Sequence, residues 1–196
     1  MLYWILYILC WLPIKILFPV KIVGRKNLIK GKAILCCNHQ SNIDTLPIYY
    51  AGKTKVYALC KKELCNTKFK AWFMKNLRAI PVNRAKPEIS SIKKCFQVLS
   101  KNNNLLIFPQ GTRMNTEEAT GIKEGVAMFA LKSKAPVIPM VYLKKNKIFR
   151  RNTLVIGEPI TFEEEYSKEN MQIVINTLEE KMNELLKSKG EKKQWF

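Results

Sequence analysis

Ala33-Ile34-Leu35-Cys36-Cys37-Asn38-His39-Gln40-Ser41-Asn42-Ile43-Asp44-Thr45-Leu46-Pro47 is the stretch from which the fold can be read. Its first five residues form an apolar run that reads as a strand. Proline is tolerated in the first turn of a helix, so Pro47 places a helix start near Asp44 and leaves His39 in the loop that follows the strand. Open α/β sheets bind ligands at the carboxyl ends of their strands, which is where this histidine then lies. His39 is the single histidine of the chain. An imidazole is the side chain whose ordinary pKa suits proton transfer near neutral pH, so any such transfer through an imidazole happens there. On a continuous helix, residues five apart diverge by roughly 140°, so His39 and Asp44 meet only if a turn intervenes. Given that turn, Asp44 can accept a hydrogen bond from one ring nitrogen and fix the tautomer, while the other nitrogen takes a substrate proton. The plainer reading is an ordinary loop histidine and an aspartate that caps a helix.

Outward from this stretch, short apolar runs alternate with longer helix-like segments, which is the pattern of a layered α/β domain. The expected strands are 20–23, 33–37, 55–60, 79–82, 105–108, 137–142 and 153–156, and the expected helices are 44–51, 68–75, 87–100, 122–132 and 168–187. The last helix carries Ile173, Leu178, Met182 and Leu185 as a stripe that lies against the body. Beyond it, the lysine-rich residues 187–193 read as a solvated, frayed end. A second strand end carries Phe108-Pro109-Gln110-Gly111-Thr112-Arg113, a Pro-x-Gly turn able to aim backbone N–H groups and a guanidinium at an anion. Arg84 follows Ile80-Pro81-Val82-Asn83 at a third strand end and offers another guanidinium. One base and two such forks fit a phosphorylated substrate bearing a hydroxyl.

Length sets one domain as the default for 196 residues. Lys and Arg number 34 against 15 acidic residues, a net charge of +19, which calls for an anionic partner: nucleic acid, acidic lipid, an acidic carrier protein or a phosphorylated substrate. Coding bias in a chain rich in Lys, Asn and Ile accounts for the bulk of the charge equally simply. Specific nucleic-acid binding is disfavoured because the aromatics gather in the apolar amino terminus rather than among the basic residues. Cys10, Cys36, Cys37, Cys60, Cys65 and Cys95 form no Cys-x-x-Cys pair, and with one histidine no zinc-site spacing arises, so neither metal nor a disulfide framework is expected.

Residues 1–20 are expected to be a membrane-associated helical anchor, and 21–196 the catalytic domain. The run 2–20 is apolar on every helical face apart from Lys15. At ~1.5 Å per residue it reaches about 28 Å, close to the hydrocarbon thickness of a bilayer. Pro13 interrupts it, so two short helices in one leaflet are favoured over a single span. Tyr3, Trp4, Tyr7 and Trp11 suit an interfacial belt. Lys21, Arg25, Lys26, Lys30 and Lys32 follow, a flank held on the cytoplasmic side against anionic headgroups. The basic stretch 144–151 is a surface loop between strands, whose cations Lys144, Lys145, Lys147, Arg150 and Arg151 contact headgroups or an acidic carrier protein, or are simply solvated.

Four blocks, taken in order and spacing from about Val20 to Ile160, resemble the 1-acylglycerol-3-phosphate acyltransferase family. Asn38-His39 to Asp44 is similar to its first block, Asn-His-x4-Asp. Ile80-Pro81-Val82-Asn83-Arg84 is similar to the second, Phe108 to Arg113 to the third, and Val137-Ile138-Pro139-Met140 to the fourth. Lys61-Lys62-Glu63-Leu64 matches a Lys-x-Glu-Leu stretch found between the first two.

The resemblance implies acyl transfer from a thioester, on acyl carrier protein or coenzyme A as co-substrate and with no cofactor, to the sn-2 hydroxyl of lysophosphatidic acid, giving phosphatidic acid at the cytoplasmic face of the membrane. His39 would be the general base and Asp44 its orienting partner, with Arg84, Gly111, Thr112, Arg113 and Lys61 as the phosphate site. The third block usually reads Phe-Pro-Glu-Gly-Thr-Arg, and here Gln110 stands in place of the glutamate. That preserves size and hydrogen bonding while removing a charge, so this position has no proton-transfer role. A neighbouring acceptor, glycerol-3-phosphate or another lysophospholipid, fits the same base. So does a non-catalytic reading, in which the cations merely hold acidic lipid.

Overall fold

The expected apolar runs pair into one seven-stranded sheet. In the computed structural model, residues 16–41, 43–83, 88–111, 119–145, 147 and 149–188 are described. The strands are β1 (Val20–Val23), β2 (Ala33–Cys37), β3 (Val56–Lys61), β4 (Ala79–Val82), β5 (Asn104–Ile107), β6 (Val137–Tyr142) and β7 (Asn152–Ile156), in the order β1-β7-β6-β2-β5-β3-β4. From β6 through β2, β5 and β3 to β4 every pairing is parallel, β7 runs antiparallel to β6, and β1 lies parallel to β7. The sheet is therefore mixed, and the carboxyl ends of five parallel strands share one edge.

Strands buried on both faces are apolar throughout rather than alternating. Every residue of β2, β5 and β6 is buried, and apart from Asn104 at the start of β5 these strands are runs of that kind, whereas β7 near the edge alternates. Five helices complete the described fold: α1 (Thr45–Ala51), α2 (Lys68–Asn76), α3 (Ile89–Ser100), α4 (Glu124–Ser133) and α5 (Lys168–Lys187). Side chains alternate across a strand, so Ile34, Cys36, Leu105, Ile107 and Val141 enter one core with Leu99 of α3, Phe129 of α4 and Leu178 of α5. Leu35, Cys37, Leu106, Ile138 and Met140 enter a second core with Leu28 and with Ile48 of α1. Leu35 is fully enclosed at the sheet centre, where truncation to alanine costs about 2–5 kcal/mol.

Proline inside a sheet removes a ladder donor. Pro139 of β6 lies just past the point where β7 pairing stops at Met140, and its carbonyl accepts from Gly157 N–H at 2.8 Å.

Several element ends shift by one or two residues from the sequence reading, and three differences have a physical reason. α4 begins at Glu124 rather than Ile122, because Lys123 before it is extended at φ −78°, ψ 150°, with the Ile122 and Lys123 amides bonded to Glu179 and to the Pro109 carbonyl. β5 is shifted one residue toward the amino terminus, since Phe108 already belongs to the following turn. On α5 the buried face is Met171, Val174, Ile175, Leu178 and Met182 with Leu185 beside it, and Ile173 is an exposed residue. Ile173 and Leu178 are five apart, which swings them to different faces.

Cys36, Cys37 and Cys95 are buried free thiols, while Cys60 and Cys65 are only half-buried. Of the expected anchor, residues 1–15, with Tyr3, Trp4, Tyr7, Trp11 and Lys15, lie outside the described residues. Val20, its last residue, is the first of β1. Among the described residues no helix is long and apolar enough to cross a membrane. The end of this segment is fastened to the hairpin between β6 and β7: Phe149 N–H donates to the Leu17 carbonyl at 2.7 Å and Asn152 N–H to the Pro19 carbonyl at 2.9 Å.

Candidate active site

The loop 38–44 leaves the central strand β2 and is held at both ends by Tyr142, the last residue of β6. At its start the Asn38 carboxamide clasps the Tyr142 backbone, accepting from its N–H at 2.8 Å and donating to its carbonyl at 3.1 Å. At its end the Tyr142 hydroxyl donates to the Asp44 carbonyl at 2.7 Å. The asparagine of the first block is thus a structural clamp, and the strand formed by the fourth block is what it clamps.

Between these two fixings, Asp44 turns back toward the loop. It occupies the position before α1, yet its side chain makes no capping bond to that helix. Its Oδ2 instead accepts from Gln40 N–H at 2.7 Å and Ser41 N–H at 2.7 Å, and lies 3.1 Å from His39 Nδ1. Asp44 is fully buried. An unpaired carboxylate there would be costly, and charge-assisted bonds from several donors make the anion tolerable. With Nδ1 carrying the proton toward Asp44, His39 Nε2 keeps its lone pair for an incoming proton. The plainer alternative of a helix-capping aspartate is therefore not what forms.

The His39 ring, with its side chain 12% exposed, stacks on Phe108 at a centroid distance of 4.1 Å. Phe108 opens the turn that follows β5, so the stack joins the first block to the third. Gly111 N–H donates to the Phe108 carbonyl at 3.0 Å and closes that turn. Gly111 is left-handed at φ +70°, a conformation costly for residues with a Cβ, and such an atom would also stand 3.1 Å from Lys123 Nζ. Lys123 therefore lies over the glycine of the turn, its own N–H bonded to the Pro109 carbonyl at 3.0 Å. No described carboxylate pairs with it.

Gln110 is buried, and its Oε1 receives no hydrogen bond among the described residues; the same holds for Gln40 Oε1 beside the histidine. Lys61 ends β3 on the same edge of the sheet, is exposed, and pairs with Glu63 at 3.4 Å. It lies opposite Val82 of β4. Arg84, Thr112 and Arg113 lie outside the described residues.

Thiol nucleophiles are disfavoured by the same burial that builds the core. Burial pushes Cys36 up to about 12, and it pushes Cys37 well above the usual thiol range, with the Asp44 charge acting in the same direction. Among the described residues no cluster of His, Cys, Asp and Glu could hold a metal ion.

The structure thus brings His39, Asp44, Gln110 and Gly111 into one stacked and hydrogen-bonded unit and puts Lys61 on the same edge. Sequence reasoning missed Lys123 and the Asn38 clasp on Tyr142. The signal for Lys123 was faint: a lysine following Gly121, shortly after the Pro-x-Gly turn. That for Tyr142 was nothing more than its place at the end of an apolar run.

His39 and Asp44 stand paired at the exit of the central strand, stacked on the turn that follows β5, and the acyltransferase family model matches residues 19–143. The chain is 30% identical over 176 residues to the 1-acyl-sn-glycerol-3-phosphate acyltransferase of Bacillus subtilis (strain 168), covering 85% of this chain and 87% of that one. It is 29% identical over 171 residues to the protein of the same name from Streptococcus pneumoniae, covering 83% of this chain and 62% of that one. The crystal structure of the 1-acyl-sn-glycerophosphate (LPA) acyltransferase PlsC from Thermotoga maritima superposes with a TM-score of 0.66 at 22% identity, over 90% of this chain and 73% of that one, a likeness of fold. The chain belongs to the 1-acyl-sn-glycerol-3-phosphate acyltransferase family and is an enzyme of that kind.

Proposed function

We propose that this chain transfers a fatty acyl group from a thioester to the sn-2 hydroxyl of 1-acyl-sn-glycerol-3-phosphate, forming phosphatidic acid, with His39 as general base. The observation that carries the reading is the His39–Asp44 pair, whose geometry leaves Nε2 open at the sheet edge beside the Phe108 to Gly111 turn. His39 Nε2 takes the hydroxyl proton as the oxygen attacks the thioester carbonyl. The tetrahedral oxyanion collapses, the carbon–sulfur bond breaks, and the imidazolium returns the proton to the leaving thiolate. Asp44, fixed by two backbone N–H groups, stabilises the imidazolium in between.

Lys123, Lys61, Gly111, Thr112, Arg113 and Arg84 form the phosphate side of the site. Guanidinium and ammonium groups recognise a phosphate through charge-assisted bonds. Gln40 and Gln110 bring carboxamide oxygens able to accept from the glycerol hydroxyl. The donor is an acyl carrier protein or coenzyme A thioester as co-substrate. The chain works at the cytoplasmic membrane face, held there by residues 1–20 and their cationic flank.

The test is acyl transfer by detergent-solubilised protein, with palmitoyl coenzyme A and palmitoyl carrier protein offered separately and product quantified by mass spectrometry. Phosphatidic acid is expected from one donor, falling about a hundredfold or more in His39→Ala with an unchanged circular dichroism spectrum. Product from glycerol-3-phosphate or lysophosphatidylcholine in preference to lysophosphatidic acid would reassign the acceptor. No product from any acceptor would overturn the reading in favour of lipid binding alone.

A further inference from the structure

Helix α2 buries none of its side chains, although three of its nine residues are aromatic. Thr67 nucleates it by accepting from Lys70 N–H at 3.2 Å. At roughly 100° per residue, Phe69, Trp72 and Phe73 fall on one face, Ala71 and Met74 fall on the opposite one, and Lys68, Lys70 and Lys75 flank the aromatic face on both sides. The aromatic face is the one turned outward: Phe69 is 72% exposed, Trp72 50% and Phe73 38%, and the rings lie against one another, with the Phe69 centroid 6.0 Å from that of Trp72 and 6.5 Å from that of Phe73. Leu64, 53% exposed on the preceding turn, extends the patch. A contiguous apolar face on a short helix that contributes nothing to the core marks a contact surface.

The charge around it selects the partner. Residues 61–75 hold five lysines against the single Glu63. Lys61 and Lys62 are paired with Glu63 and Glu88, whereas Lys68, Lys70 and Lys75 have no described carboxylate partner. Aromatic rings bordered by lysines are the composition of a helix lying in the headgroup layer of an anionic bilayer.

Its place in the sheet is equally telling. α2 leaves the carboxyl end of β3, two strands to one side of β2. The Lys144 to Arg151 hairpin, with exposed Phe149 bonded to Leu17, leaves the carboxyl end of β6 on the other side. His39 lies between them.

We propose that the aromatic face of α2 lies on an anionic lipid surface. It gives the chain a second membrane contact, across the active site from the side where the N-terminal segment joins the sheet. The inference rests on the reading that the chain works at a membrane, and it adds a surface that reading does not contain. Two contacts on either side of His39 turn the strand-exit edge toward the lipid that carries the acceptor.

A full-length chain with Trp4→Phe, Trp11→Phe and Trp195→Phe leaves Trp72 as the single tryptophan. On vesicles containing phosphatidylglycerol, Trp72 emission is expected to move to shorter wavelength and to be quenched by brominated acyl chains. The docked-to-free ratio read from that quenching should fall about tenfold or more on neutral phosphatidylcholine vesicles. It should fall by a similar factor in Phe69→Ser/Phe73→Ser, an exposed pair whose loss leaves the core intact. A chain that floats with vesicles while Trp72 stays unquenched overturns this inference and leaves the membrane reading standing; a chain that does not float overturns both. Equal quenching on neutral lipid removes the anionic selection. Protection of Trp72 by an acidic carrier protein but not by vesicles replaces the lipid with a protein partner.

Discussion

Asp44 and Gln110 are both buried polar side chains beside strand exits, on adjacent strands, and their surroundings are opposite. The Asp44 carboxylate is ringed by two backbone N–H groups and an imidazole, in a loop that Tyr142 pins at both ends. The Gln110 oxygen receives no donor from the described residues, and the turn it belongs to is overlaid by a lysine with no described carboxylate partner. In the proposed reaction, one half of the site has its geometry fixed before substrate arrives, and the other keeps hydrogen-bonding capacity and positive charge for the ligand. Proton transfer demands an oriented pair, whereas recognition of an anion tolerates adjustable cations.

Asp44→Asn should break the fixed half most severely. The amide is neutral and presents a donor where donors already converge, so kcat is expected to fall by about a thousandfold or more. Stability should fall by about 2 kcal/mol with it, as bonds to a charged acceptor are lost. Steady-state kinetics and urea unfolding measure both, and a kcat within tenfold of wild type would mean the two halves are not different in kind. Lys123→Met tests the adjustable half. KM for the phosphorylated acceptor should rise about tenfold with kcat nearly unchanged and an unaltered urea midpoint. A selective loss of kcat would instead put the ammonium at the reacting carbonyl. Gln110→Glu is the mildest change and sharpens the comparison: turnover should stay within about tenfold, since shape and acceptor are retained. A change of several hundredfold would show that charge at this position, rather than its hydrogen bonding, governs the reaction.

The strands and helices were legible because a doubly buried strand is an apolar run and each run here ends in turn residues, as at Cys37-Asn38 and Val82-Asn83. The partners of the strands were not legible. Nothing in Val20–Val23 says that it pairs with Asn152–Ile156, or that β7 alone among the neighbours of β6 runs antiparallel. The His39–Asp44 pair was visible because both residues lie in one short loop. Lys123 was hidden because its contact with Gly111 depends on how the chain between the turn and α4 folds back, which no local pattern records. Ile173 misled for a simpler reason, since an apolar residue on a long helix resembles a core residue until its angle is counted.

The pairing of β1 with β7 has a consequence for how the protein is made. The segment expected to meet the membrane leads directly into β1, yet Val20 finds its sheet partner only when Asn152 has been synthesised. Strand β1 is then among the last to be paired, because closing so long a loop costs entropy that late contacts must offset. Until β7 has been made, β6 has no neighbour on that side and the edge of the sheet stays open. Substitutions that weaken β7 should act on yield before they act on turnover, by prolonging the time that edge stays available to other chains.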